Sequence, residues 1–416
     1  MTTALSATAT LHEQAAQLDA DDTLADLRTR FLLPPDVVYL DGNSLGPLPA
    51  AVPAALDDVV RRQWATGLIG SWNAAGWWQA PLRVGDTIGT LIGAAPGQTI
   101  AGDSTSVQLF TALDAAAALR PDRPLLVTDP RHFPTDRYLA DAVARRRDLD
   151  VRHVRPADLP HFLAAEGERV AVVSYAPVDY RTGELYDMRT LTRAAHDAGA
   201  LALWDLCHAA GALPLDVDGV GVDLAVGCGY KFLSGGPGAP AFLYVAQRHH
   251  PTLETPLPGW TGHADSFALA DSYTPAPGLA RARIGTPPIL SLLALGSGPH
   301  RLRQRRPGPG PGQEPVADGL LPSLRGRTPG PAGLLRRHPG RRGSQVTLSH
   351  RHARGLAVAL AESGVIADMR APDLLRFGVN ALYTSHRDML TAASRLRALT
   401  EEAAYDPAPP TTGPVT

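Results

Sequence analysis

ALALWDLCHAAGALPLDVDGVGVDLAVGCGYKFLSGGPGAPAFLYV, residues 200–245, contains three short apolar runs: ALALWD at 200–205, VDLAVG at 222–227 and APAFLYV at 239–245. Two more precede it, LLVT at 125–128 and VAVVSYA at 170–176, with helical patterns between them near 135–147 and at 188–199, the latter ended by Gly199. Apolar runs without polar alternation fit strands covered on both faces, and helices between them make the sheet largely parallel. The expected fold class is therefore α/β. In such sheets the polar residue closing a strand carries the chemistry, and Asp205 stands there, directly after LALW.

Toward the N-terminus the pattern turns helical with glycine-rich joints. A helix is expected over 50–66, after the turn-rich DGNSLGPLP at 41–49, and another over 83–94. A third begins where GDSTS (102–106) meets VQLFTALDAAAALR, with hydroxyl residues at its start. Toward the C-terminus, GSQVTLSH at 343–350, a helix near 352–362, VIADMR, DLLRFGVN and a helix near 386–402 read as a small α+β domain, and 406–416 as a frayed, disordered tail. Residues 297–342 differ in kind. They hold ten arginines, no lysine, and 16 Gly or Pro between 307 and 341, a composition that sustains neither helix nor strand.

Composition excludes several functions. With 39 Lys+Arg against 41 Asp+Glu, the net charge of -2 does not describe a general nucleic-acid or anionic-membrane binder. Two cysteines in 416 residues exclude a disulfide-stapled scaffold. The N-terminal residues lack the basic start and apolar run of a secretory signal, and no apolar run approaches membrane-spanning length, so a cytoplasmic protein is expected. HExxH, CxxC and spaced carboxylates are absent, so no metal is expected; GxGxxG and GxxxxGK[ST] are absent too.

The strongest constellation lies in the opening stretch. Lys231 follows a strand by a short turn among Gly227, Gly229, Gly235 and Gly236, while Asp205 and His208 follow another strand end. A lysine on a glycine-rich loop near a carboxylate is what pyridoxal phosphate chemistry requires: an amine for covalent attachment and an anion for the pyridine nitrogen. The alternative is a surface lysine and a capping aspartate. Thr105 and Ser106 at a helix start suit a phosphate but also suit an ordinary cap. Phe133, in DPRHFPTDRY with Asp136 close by, is either a face for a planar ring or a core phenylalanine.

These residues belong to a wider likeness. The 204–245 stretch resembles the lysine region of kynureninases, as do YLDGNSLGPLP (39–49), LIGSWNAAGWW (68–78), DSTSVQLF (103–110), HFPTDRY (132–138), YRTGELYDM (180–188), LPGWTGHADSF (257–267), IGTPPILSL (284–292) and LLRFGVNALYTSH (374–386). The resemblance implies a fold-type I pyridoxal phosphate enzyme. Its large domain at 51–296 would surround a mostly parallel seven-stranded sheet, with a small α+β domain from 1–50 and 343–405 and a homodimer sharing its active sites. It also implies hydrolysis of L-kynurenine or 3-hydroxykynurenine to anthranilate or its 3-hydroxy form plus L-alanine, within tryptophan catabolism and NAD biosynthesis.

Carried over residue by residue, Lys231 is the attachment point and general acid/base. Asp205 pairs with the pyridine nitrogen, Phe133 stacks, and Thr105 and Ser106 hold the phosphate. Asp136, His208 and Tyr230 complete the cofactor shell. Trp260 and Thr286 reach the phosphate from the partner subunit, Arg376 clamps the substrate carboxylate, and Trp72, Asn43 and Ser44 line the aryl pocket. The other readings are a cysteine desulfurase or aminotransferase on the same fold, and an inactive paralogue. At 297–342 the likeness lapses while the motifs on either side are intact. That stretch reads as translated from a shifted frame, restored near 341–343.

Overall fold

The computed structural model describes residues 2–298, 335–336 and 342–409. The reading-frame expectation for 297–342 thus falls mainly on residues outside those described. Leu335 and Arg336 do pair antiparallel with Ser349 and Leu348, so two residues of that stretch form a strand despite their lack of pattern.

Two compact units emerge. One takes Ala51–Tyr180 and the chain from Leu185 to the described end at Gly298; the other takes the chain up to Ala50, Arg181–Glu184 and the described residues from Leu335 onward. The first is built on a seven-stranded sheet: β1 (Thr99–Gly102), β2 (Leu125–Thr128), β3 (Asp150–His153), β4 (Val170–Tyr175), β5 (Leu201–Asp205), β6 (Leu224–Cys228) and β7 (Ala241–Val245). Their spatial order is β1-β7-β6-β5-β4-β2-β3. All neighbours pair parallel except β7, which runs antiparallel to both β1 and β6.

Alternate residues along each strand enter opposite cores. Leu125, Val127, Ala202, Trp204, Phe242 and Tyr244 pack on one face. Leu126, Leu201, Leu203, Val226, Leu243 and Val245 pack on the other. Both faces are covered, which is why these strands read as unbroken apolar runs. β3 was not legible because DVRH is polar and mostly exposed, as an edge strand tolerates. β1 was missed because its four residues run straight into the helix start at Thr105. Gly227 lies where a Cβ would stand 2.4 Å from the Phe242 ring on β7, so this glycine permits close strand packing.

At the opposite end of the sheet from the strand termini that bear Asp205, Asp223 is buried just before β6. It accepts from the Ala202 amide (2.8 Å) and from Arg248 (2.7 Å), and lies 2.7 Å from Nε2 of both His196 and His249. His196 and His249 thus serve a structural cluster around one carboxylate. Burial alone would raise this carboxyl, but hydrogen bonds from His196, His249 and the Ala202 amide, with the Arg248 charge, hold it well below the usual range. A depressed carboxyl contributes stability above its unfolded value of about 3.9 and loses that contribution as pH falls through the folded value. Asp223→Asn is therefore expected to cost about 2 to 3 kcal/mol at pH 7 in denaturant unfolding. The gap between variant and wild type should close below about pH 4.

The second unit has an antiparallel sheet ordered Leu335–Arg336, Gln345–Ser349, Leu374–Gly378, Asp368–Arg370. Helices Ala353–Glu362 and His386–Glu401 supply Leu356, Leu360, Met389, Leu390 and Leu396 to its core. Ser385 and Asp388 cap the last helix reciprocally. An N-terminal helix, Thr2–Asp21, was not expected from the sequence; it places Ala15 in the same core. The start of the expected tail is engaged too, with His352 Nδ1 3.2 Å from the Pro407 carbonyl.

Candidate active site

The ends of β2, β4, β5 and β6 open into a cavity of about 190 Å³. Thr105, Ser106, Phe133, Asp136, Asp205, His208, Tyr230 and Lys231, eight of the residues singled out in the sequence, all line it. Sequence positions more than 120 apart converge because parallel strands all deliver their C-terminal ends to one side of the sheet.

Lys231 lies in the turn after β6, its Nζ 3.0 Å from His208 Nε2 and 5.8 Å from the Tyr230 ring centroid. Burial works against the lysine's charge, while the acidic groups of Cys228, Cys207, Tyr230 and Asp205 outweigh it and hold the ammonium on the high side. Lys231 is also the sole lysine of the chain: every other residue in the Lys+Arg count is arginine. That signal is readable in the sequence alone. A chain that otherwise carries its positive charge on guanidinium groups keeps one primary amine, and guanidinium is always protonated where an amine can be freed for covalent chemistry.

Asp205 closes β5, and its Oδ1 accepts from the Cys207 amide at 2.8 Å. Burial, then the charge of Asp136, raises this carboxyl, and His132 and Cys207 oppose the rise. Asp205, Asp136 and His132 place donor atoms within 4.8 Å of one another, all buried. No sequence spacing displays this cluster, since Asp205 arrives from another strand. His132 Nδ1 lies 3.3 Å from Asp136 Oδ1 and 3.0 Å from the Phe133 amide. That nitrogen accepts from the Phe133 amide. Burial opposes charging the imidazole, but the acidic groups of Asp136, Asp205 and Asp129 outweigh it and lift it to about 9.

The remaining walls follow from local structure. Ser104 caps the helix Thr105–Ala118 by accepting from the Val107 amide, leaving Thr105 and Ser106 in its first turn beside the cavity. Phe133 precedes the helix Pro134–Arg147 and is 42 % exposed, so it is not a core phenylalanine; it meets Tyr180 in a T-shaped pair with ring centroids 5.1 Å apart. Burial pushes the Tyr230 phenol up to about 12. Sequence reasoning missed His132, Asp129, Arg131, Asp179, Tyr180 and Tyr186, which also line the cavity. Arg131 meets the Tyr186 hydroxyl at 2.5 Å and Asp179 at 3.4 Å.

Other expected residues lie elsewhere. Trp260, 43 % exposed, packs with Trp78 and Phe267, Thr286 is exposed, and Trp72 meets Trp77 and Trp78; none lines the cavity. Within the second unit Arg376 is buried and ion-paired with Asp368, which also accepts from Ser44 Oγ at 2.7 Å, while Asn43 donates to Gln345 at 3.3 Å. Arg376 thus already faces a carboxylate of its own chain. Burial, then Asp368, lifts the neighbouring Asp41 carboxyl to about 7.

The cavity fits the cofactor that the resemblance implies. It offers a half-buried lysine amine, a carboxylate at a strand end, an exposed aromatic face and a helix start with hydroxyls. It also holds a buried ring nitrogen, His132 Nε2, with no hydrogen-bond partner among the described residues.

The fold and this site define an enzyme of the aminotransferase class-V type, and the chain matches that family over residues 38–302. It also matches the kynureninase C-terminal domain over 330–396. The first match ends and the second begins inside the Arg/Gly/Pro-rich stretch. Solved structures with a similar fold include a cysteine desulfurase from Thermococcus onnurineus, with TM-score 0.75 and 18 % identity over 91 % of this chain and 98 % of that one. The cysteine desulfurase CsdA from Escherichia coli has TM-score 0.74 and 17 % identity over 91 % and 99 %. Kynureninase from Deinococcus radiodurans is 43 % identical, covering 94 % of this chain and 96 % of that protein, and kynureninase from Burkholderia pseudomallei is 42 % identical with the same coverage. The chain belongs to the kynureninase family.

Proposed function

We propose that this protein hydrolyses L-kynurenine, or its 3-hydroxy form, to anthranilate or 3-hydroxyanthranilate and L-alanine, using pyridoxal 5'-phosphate. The observation that carries the reading is the chain's only lysine, half-buried in a cavity with Asp205 at its strand end.

When bound, pyridoxal phosphate supplies an electron sink for negative charge developing on the substrate carbons. Lys231 anchors it and moves the proton at the substrate α-carbon. Asp205, set by the Cys207 amide, holds the ring nitrogen's proton. Thr105 and Ser106 take the phosphate with the backbone donors of their helix start, and Phe133 covers the ring. Tyr230 keeps its proton at neutral pH and can donate it. His208 sits at the lysine amine and orients it.

The roles of Trp260, Thr286, Arg376, Trp72, Asn43 and Ser44 rest on the resemblance. So does the division into a large domain at 51–296 and a small one from 1–50 and 343–405, to which the two compact units lend support. Arg376→Lys is expected to raise KM for kynurenine at least about tenfold with the cofactor's absorption unchanged. An unchanged KM with a lowered Tm would leave Arg376 as the partner of Asp368 alone. A homodimer is supported by the exposed Trp64, Leu68, Ile69, Phe267 and Leu269. Two free, buried cysteines suit a reducing, cytoplasmic setting, and among the described residues no helix is long and apolar enough to cross a membrane.

The deciding experiment adds kynurenine to the purified, cofactor-loaded protein and follows anthranilate fluorescence and alanine. Equal amounts of both products support the reading. Sulfide release from cysteine would favour a desulfurase, although Cys207 and Cys228 are both buried beside strand ends and neither is placed as a mobile nucleophile. Keto-acid production would favour an aminotransferase.

A further inference from the structure

We propose that Arg283 is a charge anchor between two copies of this chain: its buried guanidinium takes a carboxylate, Asp265 or Asp271, from the 263–275 loop of the second copy. This deepens the homodimer reading given above and rests on it.

Arg283 is 7 % exposed, and its Nε and Nη2 are buried with no hydrogen-bond partner among the described residues. Its guanidinium carbon lies over the Trp78 ring, 4.3 Å from the centroid. A ring face compensates a buried cation only in part. Taking such a charge out of water is costly unless an anion meets it. Burial depresses this guanidinium, and no acid among the described residues offsets the burial. Guanidinium cannot escape by shedding its proton. The charge is therefore held ready for an anion from outside the chain.

The surroundings select what carries that anion. Trp78 packs with Trp260 and Phe267, ring centroids 5.5 and 5.3 Å apart. Phe267 stands on a loop closed by the pairing of His263 with Pro275 and by the Ala264 amide donating to the Thr274 carbonyl at 2.8 Å. Phe267 and Leu269 on this loop are 74 % and 79 % exposed, and Leu269 has φ 48°, a left-handed conformation unfavourable for a bulky side chain. A free inorganic anion has no use for this apolar surface, whereas a protein face that covers the guanidinium buries it. The same loop carries Asp265 and Asp271, both exposed and without an ion pair among the described residues. In a two-fold dimer the same patch occurs on both copies, so one loop supplies the acid that the other copy's Arg283 lacks. A stacked arginine and tryptophan at the centre of such a patch are the residue types that dominate interface energies.

The test compares the cofactor-loaded, full-length protein with Arg283→Met, which keeps an apolar stem on Trp78, with Asp265→Asn and Asp271→Asn, and with Arg283→Met combined with each. Sedimentation velocity over a dilution series gives the dimer dissociation constant, and subunit exchange between tagged copies gives the rate at which the dimer comes apart. Arg283→Met is expected to raise both about 30-fold or more, the loss that follows removal of one member of a buried charge pair. One of the two asparagine variants should do the same. Combining it with Arg283→Met should cost less than the two changes added together, because no orphan charge then remains. An arginine that only packs on Trp78 predicts simple additivity with both aspartates, and that result overturns the proposal. So does an unmoved dimer in Arg283→Met together with inorganic phosphate quenching tryptophan fluorescence in the wild type alone, which would assign the guanidinium to a free anion. A wild-type protein that sediments as a monomer throughout defeats the homodimer reading first and takes the Arg283 contact with it.

Discussion

Lys231→Ala is expected to abolish kynurenine cleavage, with kcat lowered at least about 1,000-fold, because proton transfer by a positioned group alone contributes about 10²- to 10⁴-fold. The effect exceeds that of losing a positive charge. Lys231→Arg keeps the charge in the same cavity, yet its guanidinium stays protonated and neither forms the covalent link nor takes a proton, so it should be as inactive as alanine. The chain itself makes the check simple. Reduction of the loaded wild-type protein with borohydride should fix one cofactor per chain, and peptide mass should place it on Lys231, the only lysine. The alanine variant has no side-chain amine left to label. A labelled or cleaving Lys231→Ala protein would end the assignment.

Asp205→Asn should be the next largest loss, roughly 100- to 1,000-fold in kcat with a smaller change in KM, the scale of removing one preorganised electrostatic partner of the transition state. Asparagine nearly matches aspartate in shape and can still accept from the Cys207 amide, so β5 and its loop should stay in place. What it lacks is the negative charge. Stopped-flow absorbance should show substrate binding at a near-normal rate and proton removal slowed. Near-normal turnover in this variant would mean that the ring nitrogen needs no anion here, against the reason for placing Asp205 at the strand end.

The fold was legible where burial left a one-dimensional trace. LALWD, LLVT and VAVVSY are enclosed on both faces, so every position must be apolar and the run announces itself. DVRH at 150–153 is an edge strand with polar side chains in solvent, so its pairing with Leu125–Thr128 left no pattern. The N-terminal helix is only weakly amphipathic in sequence and is held by the core it contributes to, which is tertiary information.

The site divides along the same line. Glycines around a lysine, a carboxylate after a strand and hydroxyls at a helix start are local facts, and motif likeness extended them to Phe133, Asp136, His208 and Tyr230. One lysine against a background of arginine is also a local fact, and it marks the residue whose chemistry arginine cannot perform. By itself, then, the sequence determined the fold class, the family and the reactive amine, because each depends on residue identity and near spacing. Only the tertiary structure decided that His132 and Asp136 stand with Asp205 in one buried cluster, that Phe133 is exposed at the cavity, and that Arg376 already faces Asp368. Those depend on which strand ends and side chains the packing brings within a few ångströms, and on the burial that makes charges at such distances govern one another's protons.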